Sequence, residues 1–411
     1  MLGFMRVAII GQGYVGLTIS VGALSAGHDV VGIDHSAQVV ASLNAGKSHI
    51  EGISDSEIAA GINSGKFAAS SNYELVRGAD LVVIAVPTPL DESGKPDLSL
   101  LESAAKSLGA VLDAPTLVVN ESTSHPGTLR EVIKPLVDGA STLKHRYAIS
   151  PERVDPGNKK FGTRNTPRIV GGLDDVARDE AIDFYRSFCD QVVPVSSAEV
   201  AEAAKLFENT FRFINIGLVN EFAQIMTAMG IPVDEVLKAA ATKPYGFMPF
   251  HPNVGIGGHC IPVDPLYLQT RAKEFGLNSK YIAISEEINH EMPKFVVSRL
   301  NEQVGGLKSK KVLVIGVSYK ADIADTRETP ATPFIQFLKE AGATVSWHDP
   351  IVGMWNDEKS SAVEGDYDVA VVLVAHSHVN LDGWKGGPIY TANPHPQFPD
   401  WIPLISSHSG K

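Results

Sequence analysis

A cysteine sits inside a glycine-rich run, Gly255-Ile256-Gly257-Gly258-His259-Cys260-Ile261-Pro262-Val263-Asp264-Pro265, and it is one of two cysteines in 411 residues. A thiolate is a strong nucleophile, but a free thiol, with a pKa of about 8.5, is mostly protonated near neutrality. A cation is needed to ionise it, and Lys205 is the candidate for that task and for steadying an oxyanion. Asp264, four residues after the cysteine, is placed to orient that lysine or to exchange protons. Asn209, one helical turn beyond Lys205, adds a neutral donor on the same helix face. The glycines before Cys260 are expected to leave its sulfur accessible and to let a substrate approach the backbone. On residues alone two readings of Cys260 stay open, a nucleophile or a small buried hydrophobe. His259 is a tempting base, yet adjacent side chains point apart, which favours a packing role. Cys189 stands in Arg186-Ser187-Phe188-Cys189-Asp190-Gln191 with no glycine around it and reads as structural.

The other end of the chain carries Gly11-Gln12-Gly13-Tyr14-Val15-Gly16, a match to G-x-G-x-x-G. Gly11 makes a tight turn, Gly13 admits a pyrophosphate to the backbone, and Gly16 lets a helix pack on a strand. Asp34 follows Gly11 by 23 positions, at the end of the next apolar run. A carboxylate there accepts hydrogen bonds from a ribose diol and repels a 2′-phosphate, which favours NAD over NADP. His35 is a poor substitute for the arginine a 2′-phosphate needs. The alternative is a glycine turn of purely structural use. Val86-Pro87-Thr88-Pro89 and Asn120-Glu121-Ser122-Thr123 each follow an apolar strand. Such strand ends line the cofactor cleft of a parallel sheet. A dinucleotide that accepts hydride, with a thiol that holds an acyl group, is the minimum set for taking an alcohol past the aldehyde to an acid.

These residues need elements to hold them. Apolar runs at 6–10, 29–33, 81–86, 116–120, 146–149, 168–170 and 191–195 read as strands, with helical patterns between them. That alternation predicts a mainly parallel, doubly wound α/β sheet. Ser196 and Glu199 read as a capping box opening a long helix that ends at Gly230. On that helix Phe207, Phe211, Ile214, Leu218, Phe222 and Ile225 form one apolar stripe, with Lys205, Asn209 and Arg212 on the opposite face. The stripe fits a dimer core or a core within the chain, and simple solvation is the plainer account of the polar face. A further helical stretch is expected over 265–302, weakened by Gly276 and Pro293. A linker, 304–311, leads into a second α/β module. There Glu340-Ala-Gly-Ala-Thr-Val-Ser-Trp-His-Asp349 echoes Ser25-Ala-Gly-His-Asp-Val-Val-Gly-Ile-Asp34. Loops without chemistry are expected from Gly383 onward.

Bulk properties agree with a soluble enzyme. The chain is 44% hydrophobic, enough for two or three domains with cores. A net charge of −12 disfavours nucleic acid or an anionic membrane as partner, though not a small anionic ligand. No apolar run approaches the roughly 20 residues of a membrane span, and the N-terminus lacks a secretion signal. A cytoplasmic location is the expectation, and no metal enters the reading.

Taken together the motifs resemble those of the UDP-glucose/GDP-mannose dehydrogenases over nearly the whole chain. The resemblance rests on the Gly11–Gly16 fingerprint, the 86–89 turn, Ser-Pro-Glu-Arg-Val-Asp-Pro-Gly-Asn from Ser150, and Lys-Leu-Phe-Glu-Asn-Thr-Phe-Arg from Lys205. It rests equally on the Cys260 run and on 319–331, which opens Tyr319-Lys320-Ala321-Asp322. It implies an N-terminal Rossmann NAD domain (1–197), a central helical dimerisation region (198–303) and a C-terminal Rossmann-like nucleotide-sugar domain (304–411). It also implies a two-step, four-electron oxidation that consumes two NAD and passes through a thiohemiacetal and a thioester on Cys260. By resemblance Lys205, Asn209 and Asp264 are catalytic, Glu152 activates the hydrolytic water, and Thr123 lies beside that water. The cofactor would meet Gly11, Gly13, Tyr14, Val15, Gly16, Asp34, Val86, Pro87, Thr88, Ser122, Thr123 and Arg327. The substrate would meet Glu152, Arg153, Val154, Lys205, Asn209, Phe250, Gly257 and Lys320.

Departures narrow the substrate. Val263-Asp264 stands where UDP-glucose and GDP-mannose members carry Lys-Asp, and Arg153-Val154-Asp155-Pro156 follows Pro151-Glu152. With Thr-Lys-Pro-Tyr-Gly-Phe-Met-Pro-Phe from Thr242, these look like the branch that oxidises UDP-N-acetylhexosamines, glucosamine first and mannosamine next. UDP-glucose is the alternative substrate. The C-terminus lacks a basic Asp-Thr-Arg segment seen in many members. Rival classes are a two-electron dehydrogenase of the hydroxyacid type and a non-catalytic binder of NAD or nucleotide sugar.

Overall fold

Short runs of Val, Ile and Leu with no polar interruption suit strands covered on both faces. The computed structural model, which describes residues 3–155, 158 and 160–405, builds them so. Its chain divides into two compact units, 1–208 with 266–276, and 209–265 with 277–411.

In the first unit β1 (Arg6–Ile10), α1 (Tyr14–Ser25), β2 (Asp29–Ile33), α2 (Ala37–Asn44), α3 (Asp55–Asn63) and β3 (Phe67–Ser70) come first. Then follow β4 (Leu81–Ile84), α4 (Ser99–Val111), β5 (Leu117–Asn120), α5 (Lys134–Ala140), β6 (Arg146–Ile149), β7 (Arg168–Gly172), α6 (Asp175–Arg186) and β8 (Val192–Pro194). Among the described residues the strands form one sheet in the order β3-β2-β1-β4-β5-β6-β7-β8. Every pairing is parallel except β6 with β7. Alternate residues feed two cores, Val7, Ile9 and Val83 on one face and Ala8, Ile10 and Val82 on the other. The order reverses between β1 and β4, the switch point at which such sheets bind ligands at their C-terminal edge.

The long helix, α7 (Ala198–Ala228), spans 31 residues. Its cap is not the predicted Ser196. The Ser197 hydroxyl accepts the Val200 amide at 3.3 Å, and Glu199 instead meets Arg130 at 2.7 Å. The predicted apolar stripe is not the buried face. Leu206, Phe213, Val219 and Ala223 are buried, whereas Phe207 and Leu218 are 67% and 61% exposed. A core within the chain takes up Phe222, which packs against it, but does not account for Phe207, Phe211, Leu218 and Ile225, which stay exposed.

The second unit continues with α8 (Val233–Ala240), the Cys260 loop, the start of α9 (Asp264–Glu274) and α10 (Lys280–Gln303). The single stretch expected over 265–302 is thus two helices. Gly276 sits at φ +73° after the last turn of α9, a left-handed helix stop rather than an internal weakness. Pro293, by contrast, lies inside α10. Next come β9 (Lys311–Ile315), α11 (Ala331–Glu340), β10 (Thr344–His348), the hairpin strands β11 (Met354–Trp355) and β12 (Glu358–Lys359), β13 (Val369–Val372), β14 (Ile389–Thr391) and β15 (Ile402–Pro403). A five-stranded parallel sheet, β10-β9-β13-β14-β15, packs with α7, α10 and α11 in one core. The tail beyond Gly383 therefore is not only loop, because β14 and β15 extend the sheet. Residues 406–411 and Pro156, Gly157 and Lys159 of the 150–160 region lie outside the described residues.

The repeat seen in the sequence extends to single hydrogen bonds. Gly11 (φ +87°) donates its amide to the Ile33 carbonyl at 2.7 Å, and Gln12 donates to Asp34 Oδ2 at 2.8 Å. Gly316 (φ +79°) donates to the His348 carbonyl at 2.9 Å, and Val317 donates to Asp349 Oδ2 at 2.9 Å. The two carboxylates end differently. Asp349 is sealed, its oxygens also taken by the Ile351 and Val352 amides and by His376 Nε2 at 3.1 Å. Burial opposes its ionisation, but the His376 and backbone hydrogen bonds prevail and hold it down at about 2.

Candidate active site

In the first unit the glycine fingerprint makes a cradle that fits a dinucleotide. A Cβ on Gly16 would lie 1.7 Å from the Gly11 carbonyl oxygen, so the helix can approach the turn only without one. Space above Gly13 is open, and no side chain caps the start of α1. Its first amides are therefore available to a pyrophosphate. The Asp34 carboxylate is fixed by the Gln12 and Ser36 amides at 2.8 and 2.9 Å. Each of its oxygens keeps acceptor capacity for a ribose hydroxyl.

Ser122 bridges the two flanking strand ends, its hydroxyl taking the Val86 amide at 3.0 Å and donating to the Val86 carbonyl at 2.8 Å. That fixes Val86, Pro87 and Thr88 beside Thr123, which is half-buried. The Tyr14 phenol, next to Val15, is pushed up by burial and then by the negative charges of Glu152, Asp155 and Glu51. The fingerprint thus faces the acidic loop that follows β6.

In that loop Glu152 is buried and fully engaged. Its Oε1 accepts the Arg153 and Val154 amides, both at 2.7 Å. Its Oε2 accepts from Arg168 at 2.6 Å. Burial raises its pKa, but the Arg168 charge and these hydrogen bonds outweigh it and hold the group below the ordinary carboxylate value. Arg153 clasps Glu208 at 2.5 and 3.0 Å and donates to the Pro167 carbonyl at 2.7 Å. Lys205 is half-buried on α7, one turn ahead of Asn209.

In the second unit Cys260 is half-buried. Its carbonyl accepts the Asp264 amide at 2.9 Å, which starts α9. The Asp264 carboxylate is buried and accepts from Asn209 Nδ2 at 2.5 Å. Asn209 is therefore not merely solvated. The glycines of the loop serve packing rather than access. A Cβ on Gly257 would lie 2.7 Å from the Glu328 carbonyl oxygen, and one on Gly258 would lie 2.9 Å from the Tyr319 ring. His259 is not packed either, since it is exposed, 3.7 Å from Asp325. Asp325 also clasps Arg327, whose guanidinium is pushed up chiefly by that carboxylate, with Tyr319 and the Cys260 thiol contributing. Arg327 thus lies within electrostatic range of the sulfur. Phe250 meets Phe211 edge-to-face with centroids 6.0 Å apart, and the Lys320 carbonyl accepts from Ser318 Oγ at 2.9 Å. Cys189 is buried, its thiol pushed up to about 11 by burial, which suits a structural residue.

Sequence reasoning passed over Arg168 and Asp325 and gave Glu121 no role of its own. For Arg168 a signal was present, because a charged residue opening an otherwise apolar strand is costly unless paired. No group of three metal-ligating side chains exists among the described residues, nor is any helix there long and apolar enough to cross a membrane.

Comparison with known proteins bears on the whole chain. Residues 5–189 match the NAD binding domain of the UDP-glucose/GDP-mannose dehydrogenase family, 199–291 its central domain and 313–386 its UDP binding domain. A UDP-N-acetyl-D-mannosamine dehydrogenase of Pyrococcus horikoshii is 36% identical, over 93% of this chain and 92% of that protein. A UDP-N-acetyl-D-glucosamine 6-dehydrogenase of Pseudomonas aeruginosa is 33% identical, over 91% of each. The solved structure of UDP-D-ManNAc dehydrogenase from Pyrococcus horikoshii superposes with a TM-score of 0.86, at 33% identity, covering 94% of this chain and 95% of that one. With a cradle for a dinucleotide at one end and a nucleotide-sugar domain matched at the other, the chain belongs to the UDP-glucose/GDP-mannose dehydrogenase family and is an NAD-dependent dehydrogenase of nucleotide sugars.

Proposed function

We propose that this enzyme oxidises the 6-hydroxyl of a UDP-N-acetylhexosamine to the uronic acid in the cytoplasm, with Cys260 as covalent nucleophile. The observation that carries the reading is the Cys260–Asp264–Asn209 cluster, in which the residue bearing the thiol also anchors the helix that presents a buried, hydrogen-bonded carboxylate. Relatives named for both the mannosamine and the glucosamine substrate support a hexosamine. Identities of 36% and 33% do not separate the epimers.

Gly11, Gly13, Gly16 and Asp34 would hold NAD, which would supply the hydride acceptor for each of two oxidations, alcohol to aldehyde and thiohemiacetal to thioester. Lys205 and Asp264 manage the alcohol proton, with Asn209 holding the Asp264 carboxylate in place. The Cys260 sulfur adds to the aldehyde carbon, a C–S bond forms and the carbonyl oxygen takes a proton. In the last step Glu152, an acceptor only when ionised, takes a proton from water placed near Thr123. That water's oxygen attacks the thioester carbon, the C–S bond breaks, and the thiol and the uronate are released. Val86, Pro87, Thr88 and Arg327 complete the cofactor contacts. Arg153, Val154, Phe250, Gly257 and Lys320 complete those to substrate. The functional segments are 1–197 for NAD, 198–303 for dimerisation and 304–411 for the nucleotide sugar.

The test is the NADH yield per sugar on UDP-glucose, UDP-N-acetylglucosamine, UDP-N-acetylgalactosamine and UDP-N-acetylmannosamine. Two NADH per sugar are expected, with an N-acetylhexosamine fastest. A yield of one overturns the four-electron reading, and a preference for UDP-glucose overturns the substrate.

A homodimer through α7 is part of the proposal, supported by the exposed Phe207, Phe211, Leu218 and Ile225. Burying a side chain of that size contributes about 1.5–3 kcal/mol. Leu218→Glu is therefore expected to convert a dimer to a monomer in sedimentation velocity. A wild-type chain that sediments as a monomer removes the dimer from the reading.

A further inference from the structure

β7 runs against β6, and its first residue is a buried arginine. Ala148 pairs with Gly172 and Ile149 with Gly171, and the same register continued by three residues sets Arg168 against Glu152. The guanidinium reaches two ways. Nη2 donates to Glu152 Oε2 at 2.6 Å, and Nη1 donates to Glu121 Oε1 at 2.5 Å and to Ser150 Oγ at 3.1 Å. Tyr185 on α6 donates its phenol proton to the same Glu121 oxygen and lays its ring 4.7 Å from the guanidinium carbon. Arg168 is 2% exposed and Glu121 1%. Glu121 Oε2 and Arg168 Nε are buried with no hydrogen-bond partner among the described residues.

Two ionised carboxylates on one guanidinium would leave a net negative charge in a dry interior, at a cost of several kcal/mol. A proton removes it, and the unpartnered Glu121 oxygen is the atom free to carry it. Burial, reinforced by Glu152, pushes the Glu121 carboxyl up to about 8 in spite of Arg168 and Tyr185. Glu152 moves the other way, as described above. The remaining ionisable groups facing the cluster are Tyr14, with Asp155 and Glu51 behind it, and the Cys189 thiol beside Arg168 and Tyr185.

We propose that Arg168 is the positioning residue for Glu152, and that Glu121, at the other end of the same guanidinium, governs how tightly Glu152 is held. This rests on the reading of Glu152 as the base for thioester hydrolysis. A tight grip aims the carboxylate but weakens it as a proton acceptor. Once Glu121 ionises, the guanidinium is shared, Glu152 becomes more basic, and hydrolysis quickens.

The experiment follows acyl-enzyme on Cys260 by intact-mass measurement after rapid quench, using NAD-loaded enzyme and UDP-N-acetylhexosamine. In the wild type the hydrolysis rate should rise about three- to tenfold between about pH 7 and pH 9. Glu121→Gln keeps the shape and deletes the titration, so its profile should lack that rise while KM for the sugar stays put. Arg168→Lys keeps the charge but loses the two-way reach, and should accumulate acyl-enzyme with hydrolysis slowed about tenfold or more. Glu152→Gln is the reference. If it accumulates acyl-enzyme while Glu121→Gln keeps the wild-type profile, the proposal is overturned and the role of Glu152 stands. If Glu152→Gln accumulates none, both fall. Glu121→Gln decides the matter even if Arg168→Lys does not fold.

Discussion

Cys260→Ser is expected to slow uronate formation about a thousandfold or more, equivalent to roughly 4 kcal/mol of barrier, while still releasing one NADH per enzyme in a first phase. The argument is one of ionisation. A thiol, with an ordinary pKa of about 8.5, gives up its proton far more readily than a serine hydroxyl in the same place, which stays protonated. The first oxidation does not use the sulfur, so aldehyde still forms. Without sulfur to capture it, the aldehyde persists or is trapped as a sluggish oxygen adduct. Serine is nearly isosteric and Cys260 is only half-buried, so the fold should not suffer. Stopped-flow absorbance together with product analysis reads both phases. Full turnover with two NADH in the serine variant would refute the covalent route.

Gly16→Ala should weaken NAD binding about a hundredfold and lower the melting temperature together, a combined effect at or above the ~1–3 kcal/mol of an overpacked site. The new methyl would sit 1.7 Å from the Gly11 carbonyl oxygen and 3.4 Å from Ile9 Cγ2. The first obstacle is backbone, so no rotamer change relieves it. Either α1 backs away from β1 or the Gly11 turn is displaced. The second movement disturbs Gln12, whose amide holds Asp34. Calorimetric NAD titration and thermal unfolding read the two effects. A variant with wild-type affinity and melting temperature would mean that the turn is not the cradle.

What the sequence disclosed depended on range. The β1-α1-β2 unit was legible because its signals are local, namely an apolar run, glycines at fixed spacing and an acid at the next strand end. The echo at 340–349 was legible for the same reason, whereas the Gly316 turn that completes it emerged only from the structure. Boundaries fared worse by one residue or one turn, as with Ser197 for Ser196 and the stop at Gly276, where helical periodicity on both sides concealed the gap. β14 and β15 are too short, and too rich in proline around them, to show a period. Glycines 257 and 258 misled in another way. Composition reads as openness, but their missing side chains are filled by Tyr319 and Glu328, some sixty to seventy residues on. Arg168 could be noticed as a charge in an apolar strand, but its partners could not be read, because the bridge depends on antiparallel register between strands that local patterning reads as parallel.

The contrast between Asp34 and Asp349 has a stoichiometric consequence. Both crossovers build the same turn, yet at the second every acceptor site of the carboxylate is spoken for from inside the protein. A ribose diol arriving there would find no lone pair to greet it. Equilibrium dialysis should accordingly count a single dinucleotide per polypeptide, despite the two look-alike berths.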